Sequence, residues 1–324
     1  MITPKKDTPA FSFDECLGCL DITTPKEFSF TEALTHLSRS SLECMHYIEN
    51  GKVFKLIEID GDQILIEISE KESATIQVRF VDGKSRNDAV CEKITGYVTE
   101  WFDLQTDLVP FYRMAKNDFL LSKLAKDFYG LRIVGIPDLF EALCWAVMGQ
   151  QVNLRFAYTL KKRFVESFGQ QVQWNGRQYW SFPKPSDISA ISVDELRKLQ
   201  FTSKKAEYIL GIAKLMGSGE LSKESLMLLN DFKAAEQKLL SIRGIGPWTA
   251  HYVLMRCLRD ATAFPIGDAG LQNALKQLLD RAQKPALEEI RQLFDPWKGW
   301  EAYAVFYLWR SLGSPSTKSS STKK

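Results

Sequence analysis

The sequence predicts an α+β fold, in which a small N-terminal α+β unit built on an antiparallel sheet is followed by mostly α-helical domains that contain a helix-hairpin-helix. Three observations carry this reading. Three β-rich runs, 53–59, 63–68 and 75–80, lie close together in the first third of the chain. From Asp107 onward apolar residues recur at helical spacing instead. Late in the chain, two apolar helical runs are joined by Gly244-Ile245-Gly246. The expected divisions are an α+β domain over 1–106, a helical region over 107–312 with its hairpin near 233–258, and a low-complexity tail over 313–324 expected to be disordered.

In chain order, 30–37 reads as a helix after a short polar lead. Asp60-Gly61 between the first two β-rich runs is a strong hairpin signal. Ile94, Tyr97, Val98, Trp101 and Phe102 line one face of a further helix. His36 and His46 are read as ordinary surface or core residues, not as ligands. The segment 119–128 leads as a helix to a turn at Gly130. Asp138 is placed to N-cap a long apolar helix over 139–148, which breaks at Gly149. Gln150-Gln151-Val152-Asn153 forms a polar break before a second helix over 154–168. The aromatic stretch 171–186, with its two prolines, is read as a connection without chemistry. Helices over 194–199, 204–215, 269–279, 287–294 and 300–312 complete the chain.

The hairpin is the informative stretch. Leu239, Leu240 and Ile242 end at Arg243-Gly244, where a residue free to take positive φ terminates a helix. Pro247 suits the first position of the next helix, and Ala250, Val253, Leu254 and Cys257 continue it. Glycines before a helix N-terminus leave main-chain N–H groups bare, and with the helix dipole these favour a phosphate oxygen. An ordinary helical hairpin with a glycine turn would read the same from GIG alone. Beyond it stands a lone carboxylate, Asp268, which is also well placed to N-cap the helix that starts at Ala269.

The hairpin followed by FPIGDAGL resembles the helix-hairpin-helix DNA glycosylase superfamily, and most closely its bacterial DNA-3-methyladenine glycosylase II group. The resemblance extends to LFEALCWAVMGQQVNLRFA at 139–157 and DPWKGWEAYAVFYLWR at 295–310. It implies a monofunctional enzyme of base excision repair that flips alkylated purines out of double-stranded DNA and hydrolyses the N-glycosidic bond. Asp268 would be the catalytic carboxylate, and Trp248, Tyr252 and Trp309 would line the base pocket. Gly244, Ile245, Gly246 and Thr249 would hold the DNA backbone, with Ser203-Lys204-Lys205 offering further phosphate contacts. Gln151 would be the wedge that enters the duplex. Bifunctional relatives carry a lysine nucleophile two residues after the second hairpin glycine; Trp248 stands there, so no lyase activity is expected. No cofactor or catalytic metal is implied, although hairpins of this kind can hold a structural monovalent cation on main-chain carbonyls. Two other readings stay open: a glycosylase for an oxidised or deaminated base, and a non-catalytic DNA-binding module.

Composition agrees with a DNA partner once it is divided along the chain. The net charge is only +2, but residues 1–100 hold 11 Lys and Arg against 18 Asp and Glu, which leaves the remainder at +9. Six scattered cysteines, of which only Cys16 and Cys19 have metal-like spacing, are read as reduced thiols. No apolar run approaches the roughly 20 residues of a membrane helix, and the first residues lack a hydrophobic signal core. A monomer acting in the cytoplasm on the nucleoid is expected.

Overall fold

The computed structural model describes residues 11–14, 18–72 and 74–313. Cys16, and residues 314–324 of the tail expected to be disordered, lie outside the described residues. The N-terminal sheet has six antiparallel strands rather than the three that the β-rich runs predict. They are β1 (Phe11–Asp14), β2 (Cys19–Thr23), β3 (Tyr47–Glu49), β4 (Lys52–Ile59), β5 (Asp62–Lys71) and β6 (Thr75–Phe80), in the order β1-β2-β6-β5-β4-β3. The three missed strands have five residues or fewer, too short for their alternation to stand out. Asp60 and Gly61 both take positive φ, 54° and 90°, and close the β4–β5 hairpin as expected.

One face of this sheet, with Ile22, Val53, Ile66, Ile68, Ile76 and Val78, is buried under α1 (Phe30–Leu37) and α2 (Asp88–Trp101). That core runs without a break into the helical part. There α3 (Val109–Ala115), α4 (Leu121–Asp127), α5 (Leu139–Gly149) and α6 (Leu154–Phe168) lead to β7 (Gln171–Trp174) and β8 (Arg177–Trp180). The last two strands correct the reading of 171–186 as a plain connection. Asn175 and Gly176 take φ of 48° and 73°, and Trp174 and Tyr179 pack on Phe54 to form a second small core on the other face of the sheet. The Asn-Gly pair is the signal that was missed.

The chain continues through α7 (Pro185–Ser189), α8 (Val193–Lys198), α9 (Ser203–Gly217), α10 (Lys223–Leu228) and α11 (Phe232–Leu240). The hairpin then leads into α12 (Pro247–Val253) and a π-helical turn, Leu254–Leu258. The last helices are α13 (Ala269–Leu278), α14 (Leu287–Phe294) and α15 (Glu301–Ser311). α5 is buried almost throughout its length, as a helix apolar all round must be.

Between the sheet unit and α5 lies a polar layer. Lys161 is 6% exposed and bonds Glu43 at 3.2 Å and Glu141 at 3.1 Å. Beside it is a cavity of about 40 Å³, whose wall includes both His36 and His46. His46 Nε2 lies 3.0 Å from the Leu37 carbonyl, and burial pulls its pKa down to about 4 even though Glu43 opposes this. Neither histidine stands in a metal-ligating cluster, since among the described residues there is no such group. An unfolded histidine titrates near its ordinary value of about 6.5, so between there and 4 the unfolded state holds the extra proton and stability rises with pH. The melting temperature should therefore fall as pH is lowered through that window, and His46→Gln should flatten part of the fall. An unchanged slope in thermal melts of His46→Gln would assign the effect to other groups.

Candidate active site and nucleic-acid interface

The hairpin ends at Gly244, whose φ of 92° suits glycine. A second constraint acts there, because a Cβ on Gly244 would come within 2.2 Å of the Tyr208 ring of α9. Ile245 turns inward, 5% exposed, and its N–H bonds the Ile242 carbonyl at 3.0 Å. Gly246 heads α12 without any side-chain cap, and a Cβ there would meet nothing within 4 Å. Pro247 has no N–H, and the Trp248 and Thr249 N–H groups of the first turn of α12 have no intrahelical partner, as helix starts leave them. Thr249 is 2% exposed and its hydroxyl accepts from Gln150 Nε2 at 3.0 Å, so its side chain is committed inside the protein.

Gln150 also donates to the Gly244 carbonyl at 2.9 Å, tying the break after α5 to the hairpin turn. Sequence reasoning missed this residue and singled out its neighbour. Gln151 is exposed and takes φ of 55°, an uncommon conformation for a residue with a side chain. Lys205 does not offer a phosphate contact: it is 7% exposed and donates to the Met148 carbonyl at 2.7 Å, satisfying the end of α5. Lys204 is exposed.

Asp268 is brought together with all three expected pocket aromatics. Its Oδ1 accepts from Trp309 Nε1 at 2.8 Å and its Oδ2 from Trp248 Nε1 at 3.0 Å. Oδ1 also accepts the Leu271 N–H at 2.7 Å, so Asp268 is the N-cap of α13 as well. An ionised carboxylate accepts at about four sites, and three are filled here. Trp248 and Tyr252, one turn apart on α12, have ring centroids 5.4 Å apart, and Tyr252 and Trp309 are 6.2 Å apart. These are separations of rings in direct contact. A planar ligand would therefore have to rest on the open side of the cluster or part the rings. Gly270 permits the approach of Trp309, for a Cβ there would lie 3.2 Å from its indole and 3.0 Å from Asp268 Oδ1.

Behind the cluster, the Tyr252 hydroxyl accepts from Trp145 Nε1 and from Arg256 Nη1, both at 2.8 Å. Neither residue was singled out from sequence, since both sit in apolar-looking helical runs. A groove of about 1100 Å³ opens elsewhere, between β4, α2 and the α9–α10 region, and includes none of Asp268, Trp248, Tyr252 and Trp309. Chemistry, not volume, identifies the site. Among the described residues no helix is long and apolar enough to cross a membrane.

Known proteins are similar to this chain along most of its length. Residues 144–299 match the family model of the HhH-GPD superfamily base excision DNA repair proteins, and residues 24–143 match that of the 8-oxoguanine DNA glycosylase N-terminal domain. The chain is 52% identical to a DNA-3-methyladenine glycosylase of Bacillus subtilis over 90% of its own length and 96% of that protein. Its fold superposes with a TM-score of 0.77 and 25% identity on the 3-methyladenine DNA-glycosylase of Archaeoglobus fulgidus, covering 89% of this chain and 96% of that one. The same fold, at a TM-score of 0.72 and 19% identity over 94% of this chain and 98% of the other, is seen in a Clostridium acetobutylicum 8-oxoguanine glycosylase/lyase in complex with dsDNA. The chain belongs to the HhH-GPD superfamily of base excision DNA repair proteins, among relatives named DNA-3-methyladenine glycosylases.

Proposed function

We propose that this protein is a monofunctional DNA glycosylase that releases alkylated purines, such as 3-methyladenine and 7-methylguanine, from double-stranded DNA and leaves an abasic site. The observation that carries the reading is the carboxylate of Asp268, gripped by the indoles of Trp248 and Trp309 at the edge of an aromatic cluster. An alkylated purine is a cation with a weakened glycosidic bond, and a cation against aromatic rings gains roughly 0.5–2 kcal/mol. As the bond breaks, positive charge develops on the sugar, and a fixed negative charge beside it lowers the barrier. The acceptor site of Asp268 that the indoles and the helix cap leave over can orient the water that captures the sugar.

In this reading the turn Gly244-Ile245-Gly246 and the first turn of α12 at Thr249 hold a phosphate, with main-chain N–H groups other than that of Ile245, which the Ile242 carbonyl occupies, as donors. Open space at Gly246 supports that, because the fold itself does not need a glycine Cα there. Gln151, aimed outward from a strained backbone, fills the gap left by the flipped nucleotide. A monovalent cation on the hairpin carbonyls would be structural. The Gly244 oxygen keeps one lone pair beside the one that Gln150 uses. All these groups come from one chain, which supports a monomer, and a DNA substrate supports action in the cytoplasm, at the nucleoid.

Three outcomes are expected. Incubation with methylated duplex DNA should release free methylpurines, and borohydride should trap no covalent adduct, because Trp248 stands where a lyase carries lysine. A trapped adduct, or strand cleavage keeping pace with base release, would refute the monofunctional assignment. Asp268→Asn keeps the cap and loses the charge. It should lower the single-turnover rate on the order of 10²-fold, with melting temperature and affinity for abasic DNA nearly unchanged; a wild-type rate would leave Asp268 as a cap only. Gln151→Ala should weaken binding to abasic DNA and spare the fold, whereas unchanged affinity and turnover would remove it from the interface.

A further inference from the structure

Arg256 lies in the π-helical turn, 3% exposed. Its Nε donates to the Val134 carbonyl at 2.6 Å and its Nη1 to the Tyr252 hydroxyl, while its guanidinium carbon stands 5.5 Å from the Tyr252 ring centre and 5.8 Å from that of Phe306. Among the described residues it makes no ion pair with a carboxylate, which is unusual for a buried charge. Burial lowers its pKa from the ordinary arginine value, but that value is so high that the group stays charged. The site therefore has an order: Asp268 on one side, the rings of Trp248 and Trp309 next, then Tyr252, and a buried cation behind it.

Glycosidic cleavage moves one electron pair. The bond from C1′ to the base nitrogen breaks and its electrons leave with the base. The sugar cation is captured by water to form the C1′–OH bond, and a proton is released. A cationic alkylated purine leaves neutral. A neutral purine leaves as an anion and takes up a proton. A positive charge behind the base acts differently in the two cases. It repels the cationic purine when bound but not its neutral leaving form, so it speeds the chemical step and weakens binding, and the two effects offset each other in kcat/KM. It leaves the bound neutral purine alone and stabilises its anionic leaving form, so kcat/KM rises.

We propose that Arg256 is a specificity-determining positioning residue whose charge, acting through Tyr252, extends the pocket from cationic alkylated purines to neutral purines of the hypoxanthine class. The inference rests on the glycosylase reading above. At an effective dielectric of about 20, and with the base lying beyond the ring, the effect is on the order of 10-fold or somewhat more.

The test uses the full-length protein and duplexes carrying one 7-methylguanine or one hypoxanthine, with kcat and KM measured for each. Arg256→Met should lower kcat/KM for hypoxanthine on the order of 10-fold. For 7-methylguanine, kcat and KM should fall together and their ratio should hold. Arg256→Gln, which retains a donor for Tyr252 and is the second variant if Arg256→Met does not fold, should behave as Arg256→Met does. Arg256→Lys should keep the wild-type preference. Trp145→Phe, which removes the other donor to Tyr252 without changing charge, should move both substrates by one common factor. Equal loss on both substrates in the neutral Arg256 variants would overturn the proposal and leave Arg256 as a support for Tyr252. Release of 7-methylguanine but not hypoxanthine by the wild type would also overturn it, with the glycosylase reading intact; release of neither would remove that reading itself.

Discussion

The carboxylate of Asp268 is the constraint on which the site depends. It accepts from two indoles on different helices and from the first turn of a third, so α12, α13 and α15 are joined at one residue. A carboxylate held by several donors has a fixed position, which is what preorganised electrostatic stabilisation requires. The same contacts orient the rings, for an indole that must donate along Nε1 has little freedom left. The charge and the aromatic wall are thus one structure. Gly270 shows its cost in sequence: a side chain at this position of the first turn of α13 would crowd both Trp309 and the carboxylate, at 3.2 and 3.0 Å from its Cβ.

A second set of contacts ties the hairpin turn to the break after α5. Gln150 bonds the hairpin carbonyl of Gly244 and the Thr249 hydroxyl, and Lys205 bonds the last turn of α5 through Met148. Gln151 therefore follows a backbone anchored at Met148 and at Gln150. In the wedge role proposed for Gln151, such anchoring would leave little ordering to be done on binding.

Much of this was legible in the sequence, and the reasons are specific. Glycine and proline around 244–247 have a single strong structural use, so the hairpin could be read directly. Asp60-Gly61, Asp138 and the helices at 30–37 and 154–168 followed the same logic of local signals, and the structure reproduces them. Asn175-Gly176 was equally strong, but the aromatic residues around it drew the reading towards a linker. What local pattern does not encode is the partner of a side chain. Lys205 looks like a surface lysine and is buried; Trp145 and Arg256 look like ordinary members of helices and are wired to the pocket. Gln150 and Gln151 differ by one position, and only the path of the backbone decides which faces in.

The polar layer behind the pocket raises a question of energetics that its geometry answers. Replacing a buried ion pair by apolar residues is often neutral or even stabilising, so the Glu43–Lys161–Glu141 group contributes little net stability by itself. What it supplies is placement. Lys161 sits 5.5 Å from the ring centre of Trp145, which packs on Tyr158 at 4.7 Å and donates to Tyr252. Glu43 belongs to the segment between α1 and β3, so the sheet unit reaches the pocket through this chain of contacts. An apolar layer of the same volume would fill the space but would not choose one orientation for Trp145. The N-terminal unit is acidic, yet through these contacts it holds Trp145 and, through it, Tyr252 of the aromatic cluster.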